Sequence, residues 1–144
     1  MNHNIHLEAV KGDGYSLGYI IDQTEDLCLA AVKEDEWALQ FVKNQTEELC
    51  LVAVQRDGSA LKYVKNQTEE MCLVAIRQDG WSLNHVITQT EKICLTAVRQ
   101  NGWILKFVKN QTEEICTEAV KESSGAIHYI NNPVLKEKLR GILL

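Results

Sequence analysis

Five cysteines, Cys28, Cys50, Cys72, Cys94 and Cys116, recur at intervals of 22 residues. With His3, His6, His85 and His128 they are the side chains best able to ligate a soft metal or attack a substrate. Either chemistry needs them to converge. Equivalent positions of stacked helical units lie about 8–10 Å apart. That exceeds the roughly 7 Å between Cα atoms that a disulfide tolerates, and it spreads thiols too far for one tetrahedral zinc. The odd number of thiols also points to the reduced state. The cysteines therefore read as small buried hydrophobes. Neither a nucleophile–base pair nor a Gly-rich phosphate loop nor a metal-spaced cluster stands in the sequence. The expectation is a protein that is not an enzyme and carries no cofactor and no metal.

The elements that position these residues are repeats. Gln23, Gln45, Gln67, Gln89 and Gln111 keep the 22-residue interval, as do Thr24, Thr46, Thr68, Thr90 and Thr112 and the glutamates that follow them. Ala9, Ala31, Ala53, Ala75, Ala97 and Ala119, each followed by Val or Ile, extend the series to six copies. A fixed period of this length marks tandem architecture. Three Asn-x-Thr triplets, at Asn44, Asn66 and Asn110, fall on the same period and read as part of it rather than as glycan acceptors.

One unit, residues 44–65, predicts two short helices. Asn44 or Thr46 can cap the first, and Asn44 with Glu47 has capping-box spacing. The first helix is expected from about Thr46 to Gln55, apolar on most of its circumference through Leu49, Cys50, Leu51, Ala53 and Val54, and so buried between neighbours. Asp57-Gly58 is a turn signal. The second helix is expected from about Ser59 to Lys65, with Ala60, Leu61 and Val64 on one face. A unit this small buries too little apolar surface to fold alone, so each copy must be held by the next. The Gln and Thr rows, identical in every copy, read as loop closure and helix capping.

The fold class predicted is all-α: an α-solenoid of six 22-residue helix–turn–helix repeats with a C-terminal capping helix. One repeat domain, 1–144, is expected, with a degenerate first repeat at 1–22, regular repeats at 23–131 and the cap at 132–144. Ile5, Leu7, Ala9 and Val10 take the apolar places of a first helix from Met1 to Val10. Pro133 opens the cap after Asn132, and Val134, Leu135, Leu139 and Ile142 are its expected inner stripe. The Ile142-Leu143-Leu144 end fits either a sealed cap or a dimer contact, which leaves the oligomeric state open.

The stretch Phe107-Val108-Lys109-Asn110-Gln111-Thr112-Glu113-Glu114-Ile115-Cys116, with its relatives such as residues 61–76, resembles a family of short helical repeats catalogued as a domain of unknown function. Such repeats occur in tandem in large DNA viruses, bacteria and mobile elements. The resemblance implies a solenoid-like stack and brings no catalytic residues with it.

Recognition should lie where copies differ. Tyr15, Trp37, Ser59, Trp81 and Trp103 form one equivalent row, which either fills space between helices or forms an exposed ladder suited to contact. His85 replaces the Tyr or Phe found at 19, 41, 63, 107 and 129, as a tolerated ring or a functional change. Residues 1–48 hold three Lys/Arg against ten Asp/Glu, a net −7, whereas 49–144 carry a net +2. Acid concentrates around Asp22, Glu25, Asp26, Glu34, Asp35 and Glu36, and Lys33-Glu34-Asp35-Glu36 stands where other copies have a Gly-bearing turn.

These positions predict a non-enzymatic protein-binding module using Tyr15, Trp37, Trp81, Trp103, Glu34, Asp35, Glu36 and His85. Its partner would be another protein with a basic surface. An alternative expectation is an inhibitor, encoded by a virus or mobile element, that lays its acidic end in a host defence nuclease. A net charge of −5 without a basic stripe disfavours direct nucleic-acid binding. No apolar run approaches the roughly 20 residues that cross a bilayer. The first six residues lack the basic and apolar regions of a signal peptide, so a cytoplasmic location, that of the host cell if viral, is expected.

Overall fold

Each 22-residue period folds as an α-helix followed by a 3-10 helix. The computed structural model describes residues 2–143. Six such pairs follow one another: α1 (Asn2–Gly12) with η1 (Gly14–Tyr19), α2 (Glu25–Glu34) with η2 (Glu36–Phe41), and α3 (Glu47–Arg56) with η3 (Gly58–Tyr63). Then come α4 (Glu69–Gln78) with η4 (Gly80–His85), α5 (Glu91–Gln100) with η5 (Gly102–Phe107), and α6 (Glu113–Glu122) with η6 (Ser124–Tyr129), before the final α7 (Pro133–Leu143). Among the described residues there is no strand. Met1 of the expected first helix and Leu144 of the expected end lie outside the described residues.

Threonine, not Asn44, starts the α-helices. The hydroxyls of Thr46, Thr90 and Thr112 accept hydrogen bonds from Leu49, Ile93 and Ile115 N–H, each at 3.3 Å. Asn44 lies two residues too far out, and the capping box drawn from it to Glu47 does not form. Leu49, Cys50, Ala53 and Val54 are buried and Leu51 and Val52 half-buried, as a helix apolar on most of its surface requires.

The second element of each repeat differs from expectation. It is a 3-10 helix that starts one residue earlier than expected and ends at Tyr63, with Val64 extended behind it. Asp57 is extended, and its Oδ1 accepts the Ser59 N–H at 2.7 Å. Three residues per turn then place Gly58, Leu61 and Val64 in one inward column, with Lys62 exposed and Ser59 half-buried, its hydroxyl oxygen enclosed. The glycines of this row do not serve the turn, since none of the described glycines has positive φ. They admit close approach: a Cβ at Gly102 would lie 2.1 Å from the Ala119 carbonyl oxygen of the following repeat.

The chain divides into two compact units, Met1–Val74 and Ala75–Leu144, with the boundary inside α4. Within each unit successive pairs stack in order, helix against helix and 3-10 against 3-10. That is the arrangement of an α-solenoid. The joints are made by the glutamine row. Gln45 Nε2 donates to Leu39 and Tyr63 carbonyls at 3.4 and 2.8 Å, and its Oε1 accepts the Lys65 N–H at 2.9 Å. Gln23 does the same between η1 and η2, and Gln111 between η5 and η6. One side chain thus satisfies backbone groups on two successive repeats.

Both ends depart from the expected apolar pattern. Asn132 caps α7, its Oδ1 accepting the Val134 and Leu135 N–H groups at 3.0 and 3.1 Å, with Pro133 at the first helical position. Leu139 is buried and Leu135 and Leu143 half-buried, so the seam follows every fourth residue; Val134 and Ile142, expected inside, are 78% and 66% exposed. In α1 only Val10 is buried, and Ile5 is 62% exposed.

Candidate interaction surface

The cysteines belong to the scaffold. All five are free and buried. Each thiol lies 3.6–3.9 Å from Oε1 of the glutamine five residues before it, to which it donates. Burial pushes every thiol up, Cys94 and Cys116 to about 11 from an ordinary 9.0. A thiol held neutral in this way is a poor nucleophile and a poor metal ligand.

The aromatic row is half packed and half open, which joins the two readings left by the sequence. Each ring meets, edge to face, the last 3-10 residue of the next repeat. Tyr15 pairs with Phe41, Trp37 with Tyr63, Trp81 with Phe107 and Trp103 with Tyr129, at centroid distances of 5.5–5.9 Å. Such pairs contribute about 0.5–1.5 kcal/mol beyond the area they bury. Lys62 Nζ lies 3.8 Å from the Trp37 ring and Lys106 Nζ 5.1 Å from that of Trp81. The outer faces stay open: Tyr15, Trp81 and Trp103 are 39%, 39% and 43% exposed.

The expected acidic concentration splits in two. Asp22, Glu25 and Asp26 stand at the start of α2 and Glu34, Asp35 and Glu36 at its end, a helix length of about 15 Å away. At the start, Asp26 accepts from the Thr24 hydroxyl and pairs with His3 Nε2 at 2.9 Å. The Thr24 hydrogen bond, then the histidine, hold its carboxyl below the usual range against the opposing effect of burial.

The end of α2 borders a shallow groove of about 720 Å³ in the first unit, lined by residues 12–15, 34–37 and Arg56. Five of the expected contact residues, Tyr15, Glu34, Asp35, Glu36 and Trp37, meet there. Asp13 and Asp35 turn Oδ1 toward the Tyr15 and Trp37 N–H groups at 3.0 and 2.9 Å, so they also cap the 3-10 helices. Glu36 Oε2 accepts from Arg56 Nε at 3.1 Å, and Arg56 Nη2 donates to the Glu34 carbonyl at 3.5 Å. Among the described residues the Glu34 carboxylate has no partner, and its side chain is exposed. The lining thus holds four carboxylates against one guanidinium. Desolvation, then the charges of Asp35, Tyr63, Asp13 and Glu36, push the Tyr15 phenol up.

Trp81, Trp103 and His85 lie in the second unit, the tryptophans on their own ring pairs and His85 half-buried at the end of η4. Sequence reasoning missed Arg56 and Asp13. The available signal was the offset of 20 residues from Glu36 to Arg56, the offset that also carries each glutamine to the N–H it accepts.

Short α/3-10 pairs stacked through side-chain amides define the class: an α-solenoid of short tandem repeats. Residues 24–67, two repeat periods, match the family model of the domain of unknown function DUF4116. The expected resemblance to short tandem helical repeats of unknown function holds over that stretch. No curated protein and no solved structure matches the chain. Among the described residues no helix is long and apolar enough to cross a membrane.

Proposed function

We propose that this chain is a non-enzymatic protein-binding repeat module whose recognition surface is the acidic, aromatic-walled groove of the first unit. The carrying observation is the division of labour within the repeat. Gln, Thr, Cys and Gly rows are consumed by joints, caps and close packing, whereas four variable residues, Tyr15, Glu34, Glu36 and Trp37, meet along one open groove beside the capping Asp35. Its excess of carboxylate, with the unpaired Glu34 and the exposed ring of Tyr15, suits a lysine or arginine side chain of a partner protein. Six Lys/Arg against thirteen Asp/Glu give the first unit a net −7, which would steer such a partner toward it. The inhibitor reading rests on the same acidity and gains no observation of its own.

The test is affinity capture from the native cell, followed by titration of the captured protein with variants. The combination Tyr15→Ala with Glu34→Lys should weaken binding by about tenfold or more, and added salt should weaken the parent interaction. Trp103→Ala, in the other unit, should leave it within about twofold. Binding unchanged by the first pair of substitutions and by salt removes the groove from the account.

A further inference from the structure

A corner of two steeply inclined rings recurs in the stack, and in two places it holds the chain's own lysine. Trp37 and Tyr63 meet at 63°, and Lys62 Nζ lies 3.8 and 4.8 Å from the two centroids. Trp81 and Phe107 meet at 79°, with Lys106 Nζ 5.1 and 4.9 Å from theirs. Each ammonium therefore stands over both rings of its corner and is attracted by both. Tyr15 and Phe41 form the same corner, with centroids 5.5 Å apart at 66°. The place that Lys62 and Lys106 take, one residue before the second ring, belongs there to Gln40. Its amide donates to the Trp37 carbonyl at 3.1 Å, and among the described residues no lysine or arginine stands over Tyr15 or Phe41. Tyr15 is also a wall of the groove that holds Asp13, Glu34, Asp35 and Glu36. The other corner without a lysine, Trp103 with Tyr129 and His128 beside it, belongs to the unit of net +2.

We propose that the Tyr15–Phe41 corner is the seat for a lysine side chain of the partner protein, filled from outside as Lys62 and Lys106 fill its counterparts from within. This rests on the groove reading and narrows its ligand from any basic side chain to an ammonium. Shape decides between the two cations. An ammonium is a compact point charge that can face two inclined rings at once, whereas a planar guanidinium stacks on one. The guanidinium place in the groove is moreover taken, because Arg56 already donates to the Glu36 carboxylate and the Glu34 carbonyl. The carboxylates along the Tyr15 side supply the field that draws an ammonium in.

The test adds the peptide acetyl-Gly-Lys-Gly-amide to the full chain and follows the ring protons of Tyr15 and Phe41 by NMR. Both rings should shift, and the same peptide with arginine or acetyl-lysine should bind at least about threefold more weakly. Gln40→Lys gives the corner its own lysine and should weaken both the peptide and the captured partner by about three- to tenfold. Asn44→Lys, the same charge on an exposed residue outside the corner, should leave both within about twofold. Lys62→Gln should open a second corner and bring the Trp37 indole into the response. Equal binding of either control peptide, or Gln40→Lys acting no more than Asn44→Lys, overturns the lysine seat. If the captured partner then still responds to Tyr15→Ala with Glu34→Lys, the groove stands and the corner alone is wrong. If it responds to neither, the groove reading falls with it.

Discussion

The joint between η2 and α3 and the joint between η5 and α6 use the same two repeat positions for opposite ends. In the second unit those positions are Gly102 and Glu122. Gly102 packs against backbone, and its N–H donates to the Glu122 carboxylate, which also takes the Ser123 hydroxyl. Those two hydrogen bonds, Ser123 first, hold the Glu122 carboxyl below its usual range. In the first unit the positions are Glu36 and Arg56, an ion pair on the rim of the groove. The helix pair is the same in both. One departure from the glycine row puts charge where the other joint has a sealed backbone contact, so a repeat can acquire a surface without changing its fold.

Removing what the two joints share should have the largest effect. Gln111→Leu and Gln45→Leu each strand two carbonyls, one N–H and a thiol, and should each cost about 3 kcal/mol in the urea midpoint of the full chain. Near-equal losses are expected, because the amide joint is common to both units. Next comes the position where the joints differ. Gly102→Ala forces a methyl against the Ala119 carbonyl and should cost about 1–3 kcal/mol, whereas Glu36→Ala should stay within about 1 kcal/mol. Similar costs at the two sites would erase the distinction between sealed and open joints.

The smallest effect is silent at neutral pH. Folding favours the neutral thiols of Cys94 and Cys116, whose folded titration lies near 11 against an ordinary 9.0. Their contribution is complete below about pH 9 and is lost as pH rises toward 11. Thermal midpoints, followed with the ultraviolet absorbance of thiolate, should fall together through that window. Thiolate appearing in the folded protein near pH 8.5, the ordinary range for an exposed cysteine, would contradict the burial of this row.

Period and pairing were legible in the sequence because every copy meets the same neighbour. Gln45, Thr46, Cys50 and Ala53 recur for reasons of contact that recur with them. The 3-10 helix was not legible, since Ala60, Leu61 and Val64 satisfy spacings of three and four equally over so short a stretch. The glycine row was misread as turn chemistry because a sequence shows the turn it occupies and not the backbone it faces. Val134 and Ile142 were placed inside α7 by hydrophobicity alone, while the seam follows Leu135, Leu139 and Leu143. The groove was legible by its residues but not as a place: Tyr15 and Glu36 meet only when one repeat is laid on the next.

The account stands on glutamine side chains joining successive repeats, and hydrogen exchange at the loop amides they accept tests it most directly. Lys43, Lys65, Lys109 and Asn131 are exposed residues outside any helix, yet each N–H is held by a glutamine oxygen at 2.9–3.0 Å. They should exchange at least about a hundredfold more slowly than unprotected loop amides such as Ile21, and Gln45→Leu should release Lys65 while sparing Lys109. Exchange at these four amides as fast as at Ile21 would contradict it.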